Sequence, residues 1–468
     1  MASTRKSPTS SDLPAHVTAV LKQHVKSGGR LLVGLSGGVD SVVLLDLLRR
    51  LSKKLRLELA ALHVNHQINP AAGRWAAFCR AFCRRHGVAL TVVRVKVPRR
   101  SSLEAAARAA RYRAFAAQPS DFIVLAHNLD DQAETVFLQL LRGAGVKGLS
   151  AMPVVRGEGR GERREEENRS RPARRLTPPP SRLTPSILRP LLEVPRSEIE
   201  AYARQRKLKW IEDDSNADLG FDRNFLRHRV LPVIAQRYPS YRKTLLRASR
   251  NLAEAAQLLD ELAAADATLT TTGLGIAALR RLSTPRAKNV IRYFLAAQGI
   301  TMPNAARLDE CVRQLLPQRA TRATIDLGDH ELRRYANELR VVAKIMTPPR
   351  DFCQTWRGES RLRLPELGGT LVLKKSRGAG ISLDKLTAQP VTVRLRQGGE
   401  RIQPHPERPR RSLKNLLQET RVPPWLRDRL PLLYCGDELA WVAGIGVGCR
   451  FRAGPGEASV QPLWLPSR

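Results

Sequence analysis

The chain has 468 residues, of which 80 are Lys or Arg and 43 are Asp or Glu, giving a formal net charge of +37. This length supports two or three domains with cores of their own, and the basic excess asks for a polyanionic partner, because neutralising phosphate is what such a surface does best. No apolar run reaches the roughly 18 residues of a bilayer span, and six scattered cysteines make no disulfide scaffold, so a membrane-spanning helix and a stapled secreted fold are excluded and a cytoplasmic protein is expected.

The opening MASTRKSPTSSDLP is short and polar and reads as a tail that, with a first helix, fills residues 1–28. From 29 to 237 short apolar runs alternate with helical patterns: RLLVGLS before a helix from Asp40, LELAALHVNH before one around 71–86, ALTVVRVKV before SSLEAAARAARYRAFAAQ, and DFIVLAHN before DDQAETVFLQLLRGA. Alternating βα units predict an α/β domain with a parallel, doubly wound sheet covered on both faces. Residues 156–186 are rich in Arg, Glu and Pro and nearly lack large apolar side chains, so they read as a disordered insertion. A mostly helical domain is expected over 238–346, a linker over 347–380, and a small α+β domain over 381–468, with one basic helix in RRSLKNLLQE.

The stretch LSGGVDS, residues 35–41, follows the first strand and opens a helix. Ligands of parallel sheets bind at the carboxyl ends of strands, and glycines at a helix start let phosphate approach backbone N–H groups. Ser36, Gly37, Gly38, Val39, Asp40 and Ser41 therefore read as a phosphate loop. It lacks the lysine of the common mononucleotide loop, which leaves Ser36 and Ser41 to donate and Asp40 either to hold Mg2+ or to cap the helix. A plain glycine turn with a Ser/Asp cap is the alternative.

Further along, Glu104, Arg108 and Arg111 share one helical face; a surface ion-pair ladder is the plain reading, and guanidinium forks for phosphate the functional one. Asp130, Asp131 and Glu134 open a helix at the sheet's ligand edge, where acids serve either as dipole partners or as a clamp for an ammonium or Mg2+. DRNFLRHRV brings Asp222, Asn224, Arg227 and Arg229 together, and Arg410, Arg411, Lys414 and Arg421 give the last domain a basic face suited to phosphates. Cys79 and Cys83, one helical turn apart, read as core packing, and His63, His66 and His127 as ordinary strand-end residues. No C-x-x-C occurs.

The S-G-G-x-D-S signature resembles that of the ATP pyrophosphatases, the PP-loop enzymes of adenine nucleotide α-hydrolase-like fold. HVNHQI (63–68), EAAARAARYRAF (104–115), AHNLDDQAETVFLQLLRGAGVKGLSAM (126–152), WIEDDSNADLGFDRNFLRHRVLPVI (210–234) and RRSLKNLLQETRVPPWLRDRLPLL (410–433) narrow the likeness to the tRNA(Ile)-lysidine synthase branch, over about 29–450. The chain departs from that pattern in the insertion, where the family has a shorter link.

The resemblance implies ATP-dependent adenylation of the wobble cytidine of the isoleucine tRNA with a CAU anticodon. Attack by L-lysine then yields lysidine, AMP and diphosphate and moves codon reading from AUG to AUA. It implies catalytic roles for Asp40, Arg108, Arg111, Asp131 and Glu134, with lysine on Asp131 and Glu134. Asn224, Arg227, Arg229, Arg410, Arg411 and Lys414 are expected on tRNA, Mg2+ on Asp40, and a second copy of the chain as a candidate homodimer partner. A thiolating enzyme of the same fold would need a persulfide cysteine or cluster-holding C-x-x-C pairs; a non-catalytic tRNA-binding relative would not need the intact loop and carboxylates.

Overall fold

A computed structural model describes residues 13–97, 103–157, 185–213, 217–317, 323–344, 348–349 and 351–466. Of the expected insertion, 158–184 lie outside the described residues, as do positions 1–12 of the expected tail. The chain divides into two compact units, Met1–Ala265 and Asp266–Arg468.

The first unit carries, in chain order, α1 (Leu13–His24), β1 (Arg30–Gly34), α2 (Val39–Leu55), β2 (Glu58–Asn65), α3 (Ala72–His86), β3 (Ala89–Arg94), α4 (Leu103–Ala116), β4 (Phe122–Val124), α5 (Leu129–Leu141), α6 (Val146–Leu149), β5 (Val155–Arg156), β6 (Ser186–Leu188), α7 (Arg196–Gln205), α8 (Asp222–Phe225), α9 (Leu231–Arg237) and α10 (Tyr241–Asp266). A single widened turn, Leu226–Val230, joins α8 to α9. The sheet order is β3-β2-β1-β4-β6-β5, parallel throughout except that β5 pairs antiparallel to β6. The expected doubly wound α/β fold is present, with that antiparallel edge added. β5 is two residues long, too short for periodicity to reveal.

Alternation along the strands explains why both faces are covered. Leu31, Val33, Phe122 and Val124 face a core shared with α1, α2, α3 and α7, while Leu32 and Ile123 face a second core with Ala114 and Phe115 of α4. Cys79 and Cys83 sit in the first core, and burial pushes their thiols up to about 12 and about 11. The helix that opens at the phosphate loop is anchored from below by one polar contact. Asp46 of α2, 2% exposed, accepts from Tyr202 Oη of α7 at 2.9 Å and from Arg49 at 2.9 Å.

The second unit begins with a four-stranded sheet whose hairpin, His330–Tyr335 and Glu338–Ala343, turns at Ala336 and Asn337, both with positive φ. Helices Thr284–Ala297 and Ala305–Leu315 accompany it. Two antiparallel sheets follow, one built on Val391–Arg394 and Leu432–Cys435, the other on Gly369–Arg377 and Ala458–Pro466. The expected linker is therefore not one. Residues 347–380 hold strands Cys353–Thr355, Arg361–Leu364 and Gly369–Arg377, and the inward side chains Leu362, Leu364, Leu371 and Leu373 alternate with outward ones as a half-buried strand requires.

Replacing Tyr202 with Phe leaves the buried Asp46 carboxylate one donor short. A cost of about 1–3 kcal/mol is expected, read as a lower urea midpoint with an unchanged slope; an unaltered midpoint would show that the contact does not anchor α2.

Candidate active site

The chain runs outward from β1 through β2 to β3, then crosses back to place β4 on the other side of β1. The crevice between the ends of β1 and β4 is thus the topological switch point, where ligands of open α/β sheets bind. Two loops open there, Leu35–Gly38 into α2 and Leu125–Asn128 into α5.

Gly37 has φ +96°, and a Cβ there would come within 2.8 Å of Ile211 Cδ1. The Ile211 N–H donates to the Gly37 carbonyl at 2.9 Å, so the chain at Trp210 and Ile211 after α7 braces the loop. Inside it, the Gly37 N–H donates to Ser41 Oγ at 3.2 Å and the Gly38 N–H to Ser36 Oγ at 3.3 Å. The two hydroxyls lie 3.1 Å apart. His63, buried on β2, puts Nδ1 2.9 Å from the Leu35 carbonyl and so holds the strand end that enters the loop.

Gly38 is the N-cap of α2 and no side chain caps it, so of its two expected roles Asp40 does not perform the capping one. Its Oδ1 instead accepts from Asn128 Nδ2 at 3.1 Å. Asn128, 2% exposed, uses its other end to cap α5: Oδ1 accepts from the N–H groups of Asp130 and Asp131 at 3.0 Å each. Asp131 Oδ2 returns the bond to the Asn128 N–H at 3.1 Å, completing a capping box. One amide thereby joins the starts of both helices.

Burial, with the Asp131 charge added, pushes the Asp40 carboxyl up to about 6 against the opposing pull of Arg196, Arg227 and the Asn128 bond. Asp131 is raised too, by burial first and by Glu134, while Arg223 and Arg227 oppose. Glu134, 1% exposed, accepts from Arg223 Nε at 2.8 Å and from Arg227 Nε at 2.6 Å. Arg223 also reaches Thr135 Oγ1 at 3.1 Å, and Arg227 Nη2 lies 3.5 Å from Asp131 Oδ1. Asp130 is turned to the scaffold, accepting from the Arg196 N–H at 3.0 Å and Arg242 Nε at 2.5 Å.

The structure thus brings Ser36, Gly37, Gly38, Asp40, Asp131 and Glu134 of the predicted set to one crevice. Arg108 of α4 donates to Tyr112 Oη at 3.3 Å and lies over its ring; Arg111 is half-buried on the same helix. Arg227, expected on tRNA phosphate, is turned onto the carboxylates because they offer a buried counter-charge. Asn224 donates to the Asp218 carbonyl at 2.9 Å, and Arg229 is exposed. In the second unit Arg410 and Lys414 are exposed, whereas Arg411 pairs with Glu419 at 2.8 Å.

Asn128 and Arg223 escaped the sequence reading. Asn128 stands directly before Leu129-Asp130-Asp131 at a helix start, with an acid at the third helical position, which is the signal of a capping box. Arg223 lies four residues before Arg227, a spacing that puts both on one helical face.

The chain is similar to known proteins over most of its length. The PP-loop domain family matches residues 10–234, the TilS substrate binding domain 274–340, and the TilS substrate C-terminal domain 391–464. The tRNA(Ile)-lysidine synthase of Nitrosomonas europaea is 45% identical over 455 residues, covering 96% of this chain and 94% of its own. That of Azoarcus sp. is 40% identical over 450 residues, covering 94% and 92%. Among solved structures, the U34-tRNA thiolase NcsA of Methanococcus maripaludis overlaps 52% of this chain and 78% of its own, at 18% identity and a TM-score of 0.42.

The Asp40 carboxyl titrates near 6 when folded, above its ordinary 3.8. The folded state therefore holds the proton more tightly, and stability falls as pH rises from about 4 through 6. Asp40→Asn removes that cost, so its melting temperature should exceed wild type by ~2–4 °C near neutral pH, and the gain should shrink in acid. Equal melting temperatures throughout would contradict the assignment.

Proposed function

Since the chain belongs to the tRNA(Ile)-lysidine synthase family and carries its PP-loop ATP-binding domain, we propose that it performs a two-step ligation in the cytoplasm. The carbonyl oxygen of the wobble cytidine, in the isoleucine tRNA with a CAU anticodon, attacks the α-phosphorus of ATP and diphosphate leaves. The ε-amine of free L-lysine then attacks the activated carbon; the C–O bond breaks, AMP departs, and the amine loses a proton. The carbonyl oxygen is a hopeless leaving group until phosphorylation makes it part of one, and holding the amine beside the carbon converts the second step into a near-unimolecular one.

The observation that carries this reading is the bond from Asn128 to Asp40 at the switch point, which sets a glycine loop for phosphates against the Asp131 and Glu134 carboxylates. Ser36 to Ser41 take the phosphates of ATP. Among the described residues no group of three or more His, Cys, Asp or Glu makes a metal site of its own. Asp40 and Asp131 nonetheless fit Mg2+ that arrives on the nucleotide, since carboxylates plus phosphate oxygens are the hard donors it takes. Bound there, Mg2+ would offset charge on the phosphates.

Lysine presents an ammonium and a carboxylate together at its α-carbon, and the Glu134–Arg223–Arg227 group with Asp131 offers a partner to each. Arg108 and Arg111 serve the charge that develops on phosphorus. Asn224, Arg229, Arg410, Arg411 and Lys414 are assigned to tRNA, the exposed ones to its backbone phosphates. Cys79 and Cys83 do not suit a sulfur carrier, because burial in the core pushes their thiols up to about 12 and about 11, and the thiolate is the nucleophile.

The test is AMP formation that requires both lysine and tRNA. Asp131→Asn keeps the shape and removes the charge, so the KM for lysine should rise about ten- to hundredfold, the equivalent of roughly 1.5–3 kcal/mol. Adenylated tRNA should accumulate, while Cys449→Ser changes nothing. A lysine KM that stays put in both Asp131→Asn and Glu134→Gln would remove these carboxylates from the lysine site.

A further inference from the structure

Arg189 follows β6 directly and is the largest side chain in the chain's fully buried set, 1% exposed. Its Nη1 donates to the Pro153 carbonyl at 2.8 Å and its Nε to His127 Nδ1 at 3.3 Å; the Tyr112 hydroxyl lies close enough to oppose the effect of burial on it. No carboxylate among the described residues forms an ion pair with it. A buried guanidinium without a counter-charge is costly, and it stands at the carboxyl edge of the sheet, one strand from the phosphate loop.

An arginine Nε can only donate, so His127 Nδ1 must accept, and the imidazole's proton then sits on Nε2. The charged groups around His127 come from three directions: Arg189 past β6, Arg108 and Arg111 with Tyr112 from α4, and Arg223 from α8. Of the nearest acids along the chain, Asp130 is turned onto Arg196 and Arg242, and Asp131 and Glu134 onto Arg223 and Arg227. His127 is thus a neutral ring among guanidiniums, and burial first, then those charges, hold its basicity well below the ordinary value. A site of this make-up receives an anion and does not accept a proton.

We propose that Arg189 locks His127 in the form protonated on Nε2, and that His127 thereby acts in adenylation as a fixed hydrogen-bond donor to an oxygen of the transferred phosphoryl group. Arg189 is its positioning residue. The inference rests on the reaction proposed above and adds two residues to it. No proton changes hands at His127: the donor serves the oxygen while the phosphorus gains one bond to the cytidine oxygen and loses its bond to diphosphate.

The test uses the full chain. Nitrogen NMR of histidine-labelled protein, with the His127 signals assigned by their loss in His127→Gln, should show a bare Nδ1 and a protonated Nε2 that do not titrate from about pH 5.5 to 8. In Arg189→Met, which removes both the donor and the charge, the ring should lose its single form and part of the population should carry the proton on Nδ1. TRNA-dependent diphosphate release without lysine should slow about a hundredfold or more in His127→Phe, the usual effect of losing one such donor. It should slow less in His127→Gln, whose amide still donates, with the shape of the pH profile unchanged. An imidazole that titrates in the wild type, a proton on Nδ1, or a His127→Phe protein that adenylates at the wild-type rate overturns the inference. Wild-type protein that releases no diphosphate with ATP and tRNA overturns the reaction reading instead.

Discussion

The side chain of Asn128 is the constraint on which the site depends. Its carbonyl oxygen caps α5 and its amide nitrogen holds Asp40 at the start of α2. Those helices follow the adjacent strands β1 and β4, so this amide fastens the phosphate loop to the acidic turn across the one crevice that the topology leaves open. The amide does both with separate atoms, whereas a carboxylate could cap the helix but has no hydrogen to give Asp40.

Around this junction the charges are sorted by partner. Asp130 ties α5 to α7 and α10, and Asp46 ties α2 to α7 from below. Glu134 is neutralised by two arginines, which makes its deep burial tolerable. Asp40 and Asp131 receive less compensation, and both carboxyls are raised. The structural acids are those with matched partners; the acids left under strain face the crevice, where a cation or an ammonium would relieve them.

Much of this was legible in the sequence. Apolar runs alternating with helical periods gave the parallel sheet, and S-G-G-x-D-S after a strand located the loop. The geometry of the acids was not legible, since Asp130, Asp131 and Glu134 look alike in one turn and only the partners contributed by α7, α8 and α10, 60 or more positions away, tell them apart. Distance along the chain also hid Arg189, whose partners His127 and Pro153 lie 62 and 36 positions away. The strands in 361–377 were missed for a different reason: Pro365 and Gly368 interrupt the alternation between the two strands.

The most direct measurement is on Asn128→Asp, which keeps a good helix cap and turns the donor that meets Asp40 into a third carboxylate. The account predicts a melting temperature lowered by several degrees near neutral pH, because the new carboxylate is buried against Asp40 and Asp131, with the loss shrinking in acid, together with a KM for ATP and a KM for lysine that each rise about tenfold, as expected when a charge-assisted bond of roughly 1.5 kcal/mol is lost. ATP and lysine constants that both match wild type would contradict it.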